Sequence, residues 1–335
     1  MIKVGIVGYG TIGRRVADAV ELQKDMKLVG VVKNSPDYGA LIAKHRHHKL
    51  FCMDKSRFEG SGIEVEGSVA ELVDESDILV DCAPKKYGQE NKDKFYVPAG
   101  KPAIFQGAEK ATISMSFNAN ANYEEAMGQK FLRVVSCNTT GLSRLLHLVQ
   151  SKFGIKLCNA TLIRRAADPK EYKKGPIDAI VPDPIGISHH APDVKTVMDV
   201  NLFTTAWKVP STIMHTHDLY IETEKQLTEG DLIQAIMDEP RILLADPALG
   251  FKSTAQIVDF ARDFRVRSDI FESVVFKGFT VDGNKIYLSQ AIHQESIVVP
   301  DNIDAIRAIY EVPKDESVPV TDRTLEIGKR QMCIC

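Results

Sequence analysis

Residues 2–13 read IKVGIVGYGTIG, an apolar run from Ile2 to Val7 that passes directly into a GxGxxG pattern. Such a run is typical of a strand covered on both faces, and residues 14–22 after it have the apolar spacing of a helix. Between strand and helix, Gly8 allows a tight turn, Gly10 lets the backbone approach a pyrophosphate, and Gly13 lets the helix pack on the strand. The stretch predicts a Rossmann-type dinucleotide-binding domain, and the alternative is a glycine turn in another α/β fold.

The second predicted strand, residues 27–32, ends at the position expected to meet the adenosine ribose. An acid at this position selects NAD because it holds the ribose 2′-hydroxyl. This chain has Lys33, followed by two small polar residues, Asn34 and Ser35. These groups suit a 2′-phosphate, so we expect the protein to accept NADP as well as NAD. The alternative is an ordinary solvated lysine.

Strands and helices continue to alternate up to about residue 153, and longer strands with fewer helices follow. The pattern predicts an α/β Rossmann-type parallel sheet domain over residues 1–137 and an α+β catalytic domain with a largely antiparallel sheet over 138–300. The predicted strands are 77–82, 103–106, 131–135, 157–165, 203–209, 213–223, 271–277 and 285–291. The predicted helices are 69–73, 87–96, 142–149, 229–237, 254–264 and 303–310. Loops 83–86 and 106–107 follow parallel strands and are candidate cofactor contacts.

Cys137 lies at or just before the N-terminus of the helix that follows strand 131–135. The free backbone N–H groups and the helix dipole favour a thiolate there, which is the form that attacks carbonyl carbon. The polar neighbours Asn138, Thr139 and Thr140 argue against the alternative of a cysteine that merely packs as a small hydrophobe. We therefore interpret Cys137 as a nucleophile.

Composition favours a soluble cytoplasmic protein with small-molecule partners. The 335 residues carry 42 basic and 45 acidic side chains, a net charge of −3 that gives no reason to expect nucleic acid or an anionic membrane. We found neither a signal peptide nor an apolar run of membrane length, and the six cysteines form no CxxC pair. Residues 45–48, HRHH, lack convincing metal-ligand spacing, so we expect a solvated face and no metal.

Three polar clusters lie in the second half of the chain: Arg164-Arg165, residues 188–193 (SHHAPD), and His215-Thr216-His217. Paired arginines together with a His-His loop are typical of a phosphate site. His215 and His217 share one face if they lie in a strand, and either is a candidate general base. The alternative for each histidine is a hydrogen-bonded structural role.

Taken together, the chain resembles the archaeal-type phosphorylating glyceraldehyde-3-phosphate dehydrogenases over nearly its whole length. Besides a strand that ends in Lys33, the motifs that carry the resemblance are GYGTIG at 8–13, DCAPKK at 81–86, QGAEK at 106–110, SCNTTG at 136–141, RRAADP at 164–169, SHHAPD at 188–193, PSTIMHTH at 210–217 and AIHQESIVVPDNIDAIRA at 291–308.

The resemblance implies a role for each matching residue. It makes Cys137 the nucleophile and His215 the base, with Ser136 and Asn138 as substrate contacts. It implies that Thr11, Ile12, Gly107, Arg165 and Gln294 contact the cofactor, and that phosphate groups bind near Thr139, Arg164, His189 and His190. It also implies a homotetramer, use of NADP and NAD, and a C-terminal helix in 301–335 that returns to the first domain. Ala191 stands where the family typically has glycine.

The implied reaction is the reversible oxidation of D-glyceraldehyde 3-phosphate to 1,3-bisphosphoglycerate, in the glycolytic or the gluconeogenic direction. It would run through a thiohemiacetal and a thioester on Cys137. One alternative is a semialdehyde dehydrogenase with the same chemistry, which needs a carboxylate-binding pocket. A second is a noncatalytic NADP-binding redox sensor in which Cys137 oxidises.

Overall fold

In the computed structural model, which describes residues 1–106, 109–166 and 178–328, the chain divides into two compact units. The first comprises Met1–Ser136 and Val298–Leu325, and the second comprises Cys137–Ile297 and the segment that starts at Glu326. The boundaries expected from the sequence were 137/138 and 300/301. Of the described helices, none is long and apolar enough to cross a membrane.

The first unit is built on an eight-stranded sheet in which every described pairing is parallel. Its strands are Ile2–Val7 (β1), Met26–Val32 (β2), Leu50–Cys52 (β3), Gly67–Ser68 (β4), Ile78–Asp81 (β5), Ala103–Gln106 (β6), Met115–Phe117 (β7) and Phe131–Val134 (β8). Their order is β4-β3-β2-β1-β5-β6-β8-β7, so the chain turns from one side of β1 to the other after β4. This is the Rossmann-type sheet predicted from residues 2–13.

The second unit contains a mixed, mostly antiparallel sheet. Its strands are Ile155–Arg165 (β9), Val181–Pro182 (β10), Leu202–Val209 (β11), His215–Thr223 (β12), Ile242–Ala245 (β13), Ser273–Phe276 (β14), Thr280–Asp282 (β15) and Lys285–Ile292 (β16). The order is β10-β11-β9-β12-β16-β14-β13, with β15 paired to β16. Among the described pairs only β11 with β9 and β13 with β14 are parallel. The predicted fold class is confirmed.

The helices cover these sheets. They are Thr11–Glu21 (α1), Tyr38–His45 (α2), Val69–Glu75 (α3), Tyr87–Asn91 (α4), Tyr123–Ala126 (α5), Cys137–Phe153 (α6), His190–Val194 (α7), Glu229–Met237 (α8), Thr254–Phe264 (α9), Val299–Ile309 (α10) and Lys314–Thr324 (α11). In the second unit the apolar side of α6, with Leu142, Leu145 and Leu146, packs in one core with Leu219 and Ile221 of β12. That packing holds the first turn of α6 on the sheet.

One expectation about local structure was wrong, and a second holds only in part. The C-terminal segment is not one helix, because Pro313 separates α10 from α11. In residues 45–48, His45 and His47 are exposed and Arg46 is partly exposed, as expected of a solvated face. The side chain of His48 is the exception: it is buried, and its Nδ1 lies 3.1 Å from the hydroxyl of Tyr9. Residues 36–62, which have little periodicity, contain α2 and the three-residue strand β3.

Candidate active site

The glycine turn after β1 has the geometry that a dinucleotide needs. Gly8 has φ +93°, and a Cβ on it would lie 2.6 Å from the backbone nitrogen of Ala83. A Cβ on Gly13 would lie 2.1 Å from the carbonyl oxygen of Gly8. Gly10 is the N-cap of α1 and has no side chain to occupy the N–H groups of the first turn. The helix N-terminus is therefore open to a phosphate, beside the partly exposed Thr11 and Ile12.

Lys33 does not stand alone after β2. Its Nζ lies 2.7 Å from Oδ2 of Asp37, the N-cap of α2. Asp37 also accepts hydrogen bonds from Gly39 N at 2.8 Å and from Ser35 Oγ at 3.0 Å. Partial burial acts to raise the pKa of Asp37, but the hydrogen bond and charge of Lys33 hold that pKa below its usual value. A cation stands after β2 as predicted, but Lys33 is already in an ion pair with Asp37.

The other candidate cofactor loops in the first unit also follow strands. Ala83 N donates to Asp81 Oδ1 at 2.9 Å, which shapes the start of loop 83–86. Gln106 is buried, and its Oε1 accepts a hydrogen bond from Asn302 of α10 at 2.5 Å. Gly107 lies outside the described residues.

Cys137 is the first residue of α6. Burial raises the pKa of its thiol to about 11, although Arg164, Arg165 and the backbone N–H of Asn138 all act to lower it. The helix N-terminus thus acts on the pKa of this thiol in the predicted direction, and the assignment of Cys137 as a thiolate nucleophile stays a prediction. Desolvation of the charged sulfur outweighs the stabilisation from the helix and from two nearby guanidinium groups.

Asn138 and His217 contact each other beneath the first turn of α6. His217 Nε2 lies 3.0 Å from Asn138 Oδ1, and Asn138 Nδ2 lies 3.4 Å from Nε2 of His190. His190 Nδ1 lies 3.0 Å from Ser188 Oγ, and these side chains are buried. The contacts to substrate expected of Asn138 and His190 would thus have to come from their backbone atoms, because their side chains bind one another.

His215 points to the same face of β12 as His217, as predicted from the spacing; both are buried. Its Nδ1 accepts a hydrogen bond from the backbone N–H of Arg165 at 2.9 Å. Burial, then Arg164 and Arg165, lower the pKa of His215 well below its usual value. The ring is therefore neutral and carries its proton on Nε2. This tautomer presents a hydrogen-bond donor at Nε2, and the role of general base stays a prediction.

The two arginines at the end of β9 are held differently. Arg164 pairs with Asp183, which also lies 3.2 Å from Lys208 Nζ. Arg165 Nε donates to Gln294 Oε1 at 2.5 Å, and Arg165 Nη2 lies 3.2 Å from Glu295. Arg165 and Gln294, both expected to contact the cofactor, are thus in contact with each other.

The residues expected near phosphate differ in accessibility. His189 is exposed, and its ring stacks on that of His190 with centroids 4.2 Å apart. The hydroxyl of Thr139 is buried and donates to Asp193 at 2.5 Å. Ala191 is buried, with its N–H bonded to Thr204 Oγ1 at 3.0 Å. Ser136, the last residue of the first unit, is half-buried.

Sequence reasoning missed Thr204 and Gln290, which complete the surroundings of the histidines. Thr204 and Gln290 lie in β11 and β16, where polar residues at buried positions were the available signal. The motif residues after Ala166 up to 169 lie outside the described part of the chain.

One group of possible metal ligands occurs among the described residues, and it lies in the first unit. Ligand atoms of Asp18, Glu21 and His48 lie within 4.8 Å of one another. The carboxylate of Asp18 already forms an ion pair with the guanidinium of Arg46.

Comparison with known proteins gives two family matches. Residues 136–298 match the glyceraldehyde 3-phosphate dehydrogenase C-terminal domain, and residues 2–107 match the dihydrodipicolinate reductase N-terminus. The chain is 50% identical over 335 residues to a glyceraldehyde-3-phosphate dehydrogenase of Archaeoglobus fulgidus, with 98% of each chain covered. It is 49% identical to one of Pyrobaculum islandicum, again with 98% of each covered. It is 46% identical to one of Methanothermus fervidus, with 98% of this chain and 99% of the relative covered.

Proposed function

The chain belongs to the glyceraldehyde-3-phosphate dehydrogenase family, and from this premise we propose that it catalyses the phosphorylating oxidation of D-glyceraldehyde 3-phosphate to 1,3-bisphosphoglycerate. One observation carries the assignment of the site. Cys137 begins α6 within the electrostatic influence of Arg164 and Arg165, and the backbone of Arg165 sets the tautomer of His215. The site therefore offers a nucleophile at Cys137, positive charge from the two arginines, and a neutral hydrogen-bond donor at His215.

In the first step Cys137 loses its proton to solvent and its sulfur adds to the aldehyde carbon. The carbonyl oxygen becomes an oxyanion, which Nε2–H of His215 and the backbone N–H groups at the start of α6 can stabilise. A donor suits this step, since the carbonyl oxygen needs a hydrogen bond before, during and after the addition. Because the oxyanion is not protonated, no further base is required before the hydride leaves.

A nicotinamide cofactor held at the turn of Gly8, Gly10 and Gly13 would supply the hydride acceptor, and loss of the hydride leaves a thioester on Cys137. Inorganic phosphate then attacks the thioester carbon, the Cys137 thiolate leaves, and the acyl phosphate is released. We assign Arg164 and the exposed ring of His189 to phosphate oxygens, because a guanidinium and an imidazole match them. Thr139 acts through its backbone, since its hydroxyl is bound to Asp193.

For the cofactor we propose NADP and NAD, with NADP held more tightly. The turn of Gly8, Gly10 and Gly13 and the open N-terminus of α1 fit a pyrophosphate. Lys33 supplies the cation for a 2′-phosphate, and Asp37 beside it is an acceptor for ribose hydroxyls. The family resemblance adds Thr11, Ile12, Gly107, Arg165 and Gln294. A homotetramer in the cytoplasm also rests on that resemblance.

The decisive experiment follows NADP reduction with glyceraldehyde 3-phosphate in the presence and absence of inorganic phosphate, and repeats it with NAD. We expect sustained turnover only with phosphate. Cys137→Ser should reduce it by several orders of magnitude because an alkoxide is scarcely populated at neutral pH, while cofactor binding stays unchanged. Turnover near wild type in Cys137→Ser would contradict the covalent scheme.

Two arms of the same assay test the alternatives. Sustained turnover with aspartate semialdehyde but not with glyceraldehyde 3-phosphate would favour a semialdehyde dehydrogenase. Cofactor binding without any turnover would favour the redox sensor.

A further inference from the structure

Six buried side chains of the second unit form one continuous hydrogen-bond chain around the first turn of α6. Gln290 Nε2 lies 3.1 Å from His217 Nδ1, and His217 Nε2 lies 3.0 Å from Asn138 Oδ1. Asn138 Nδ2 lies 3.4 Å from His190 Nε2, and His190 Nδ1 lies 3.0 Å from Ser188 Oγ. Ser188 Oγ in turn lies 2.8 Å from Thr204 Oγ1.

In the first half of this hydrogen-bond chain, from Gln290 to Asn138, donation can run in only one direction. Gln290 Nε2 also lies 3.2 Å from the carbonyl oxygen of Gly141, which can only accept. Gln290 therefore turns its NH₂ group to this place and donates to His217 Nδ1. His217 must then carry its proton on Nε2 and donate it to Asn138 Oδ1. The amide of Asn138 is oriented by that bond.

The second half continues in the same direction. Asn138 Nδ2 donates to His190 Nε2, so His190 carries its proton on Nδ1 and donates to Ser188 Oγ. Ser188 donates to Thr204 Oγ1, which also accepts from the backbone N–H of Ala191 at 3.0 Å. Thr204 donates to the carbonyl of Ser188 at 3.4 Å, where the chain ends. Each side chain of the hydrogen-bond chain thus donates to the next one, and Gln290 Oε1 stays buried without a partner.

We propose that His217 and His190 are positioning residues, each held as one neutral tautomer, that join the residue after the nucleophile to the His189–Ala191 turn. The inference rests on the proposed function of that site. His217 orients Asn138 beneath the first turn of α6, and His190 orients Ser188 and the ring of His189 stacked on it. Neither ring can take up a proton without breaking a bond of the chain, so neither exchanges protons with substrate.

Burial is consistent with this arrangement. His217 and His190 are 0% and 1% exposed, and burial lowers the pKa of His217 to about 3 and that of His190 to about 2. His215 is not part of this hydrogen-bond chain, and its Nε2 has no hydrogen-bond partner among the described residues. His215 is therefore the imidazole of β12 that can serve the reaction, which resolves the choice between it and His217.

Two substitutions at His217 separate positioning from proton transfer. In His217→Gln the amide nitrogen reaches the place of Nε2 and keeps the bond to Asn138. In His217→Asn the amide oxygen reaches the place of Nδ1 and keeps only the bond from Gln290. We expect kcat/KM of His217→Gln to stay within about fivefold of wild type, and that of His217→Asn to fall on the order of tenfold or more, because Asn138 Oδ1 loses its donor.

An acid–base role for His217 predicts a different result. Neither amide can exchange a proton, so both variants would lose about 10²- to 10⁴-fold in kcat. Equal, large losses in variants with wild-type circular dichroism and Trp207 fluorescence would overturn the proposal. If either His217 variant does not fold, the variants Thr204→Val and Thr205→Val test the proposal in its place.

Thr204→Val and Thr205→Val form a matched pair of variants at the Thr204 end of the hydrogen-bond chain. Both remove one hydroxyl at constant volume from neighbouring residues of β11, but Thr204 is buried in the chain and Thr205 is exposed, bonded to Thr161. We expect Thr204→Val to raise KM for phosphate or aldehyde on the order of tenfold with little change in kcat, and Thr205→Val to leave both constants unchanged. Indistinguishable constants in the two variants would overturn the link to the His189–Ala191 turn.

Neutron diffraction from crystals of the wild-type protein tests the tautomers without any assay. We expect a single proton on His217 at Nε2 and a single proton on His190 at Nδ1. A proton on the opposite nitrogen, or on both nitrogens of either ring, would overturn the proposal. Because this result does not depend on turnover, its failure is distinguishable from failure of the proposed reaction.

Discussion

Cys137 shows how burial and local structure compete at a single residue. The N-terminus of a helix and two arginines each lower the pKa of a thiol, yet burial raises it to about 11. Desolvation thus acts against the thiolate form that attack by sulfur needs.

The reactivity of Cys137 should therefore depend steeply on pH. Below a pKa of about 11, the thiolate fraction rises about tenfold for each unit of pH, so alkylation by iodoacetamide should accelerate continuously from pH 7 to pH 10. The rate is measured by mass spectrometry of the Cys137 peptide, with Cys137→Ser reporting the background from the other cysteines. A rate that reaches its plateau below pH 8 would show that the thiol is not held neutral.

Lys33 and Asp37 should set the choice of cofactor. Lys33→Ala should weaken NADP binding on the order of tenfold and leave NAD binding nearly unchanged, since only NADP brings a 2′-phosphate to the cation. Asp37→Asn keeps an acceptor for Gly39 N but removes the competing charge, so it should strengthen NADP binding. Both constants are measured by fluorescence titration. Equal losses for NADP and NAD in Lys33→Ala would support the solvated lysine instead.

Among the elements, the junction of β1 and α1 has little freedom to change. The helix begins immediately after the turn, and Gly13 packs so closely that a Cβ would lie 2.1 Å from the backbone oxygen of Gly8. A backbone atom cannot rotate away as a flexible side chain can. The glycine pattern is thus a packing requirement as well as a binding motif.

Gly13→Ala and Gly230→Ala should have opposite effects. Gly13→Ala should lower the free energy of unfolding by about 1–3 kcal/mol through overpacking and weaken NADP binding at least tenfold. Gly230, in α8, would bring its Cβ only to an ordinary 3.7 Å contact with Thr228 Oγ1. Gly230→Ala should therefore raise the free energy of unfolding by about 0.5–1 kcal/mol. Urea unfolding and nucleotide titration measure both, and unchanged nucleotide binding in Gly13→Ala would contradict the packing argument.

At the scale of the whole chain, the first unit is completed by a segment that follows the second. Arg307 of α10 is buried and donates to Asp25 Oδ1 at 2.8 Å, to Gln23 Oε1 at 2.9 Å and to Thr321 Oγ1 of α11 at 2.7 Å. Asp25 and Gln23 lie just before β2. One guanidinium therefore ties residues from the two ends of the chain into the same unit.

Arg307→Ala should lower the free energy of unfolding by about 3 kcal/mol, because it removes a buried guanidinium that pairs with Asp25 and donates to Gln23 and Thr321. Arg323→Ala, an exposed site on α11, serves as the matched control and should stay within about 0.5 kcal/mol of wild type. Urea unfolding measures both. Equal free energies of unfolding for the two variants would contradict the role of Arg307.

The effect of Arg307 should also depend on pH. Partial burial acts to raise the pKa of Asp25, but Arg307 holds that pKa below its usual value. A carboxylate with a lowered pKa stabilises the fold above its unfolded pKa, and this contribution disappears as pH falls through the folded pKa. The difference between Arg307→Ala and wild type should therefore be larger at pH 7 than at pH 3.

By itself the sequence determined the parallel sheet, the glycine turn and the position of Cys137 at the start of a helix. These features depend on neighbours within a few residues, such as apolar periodicity and the freedom of glycine to take φ +93° at Gly8. Spacing in β12 likewise placed His215 and His217 on one face.

Only the tertiary structure decided the hydrogen-bond partners of the two histidines and the surroundings of the Cys137 thiol. The proton on His217 is set by Gln290, 73 residues away, and that on His215 by the backbone of Arg165, 50 residues away. Desolvation and hydrogen-bond direction are properties of an assembled site, so no local pattern of residues carries them.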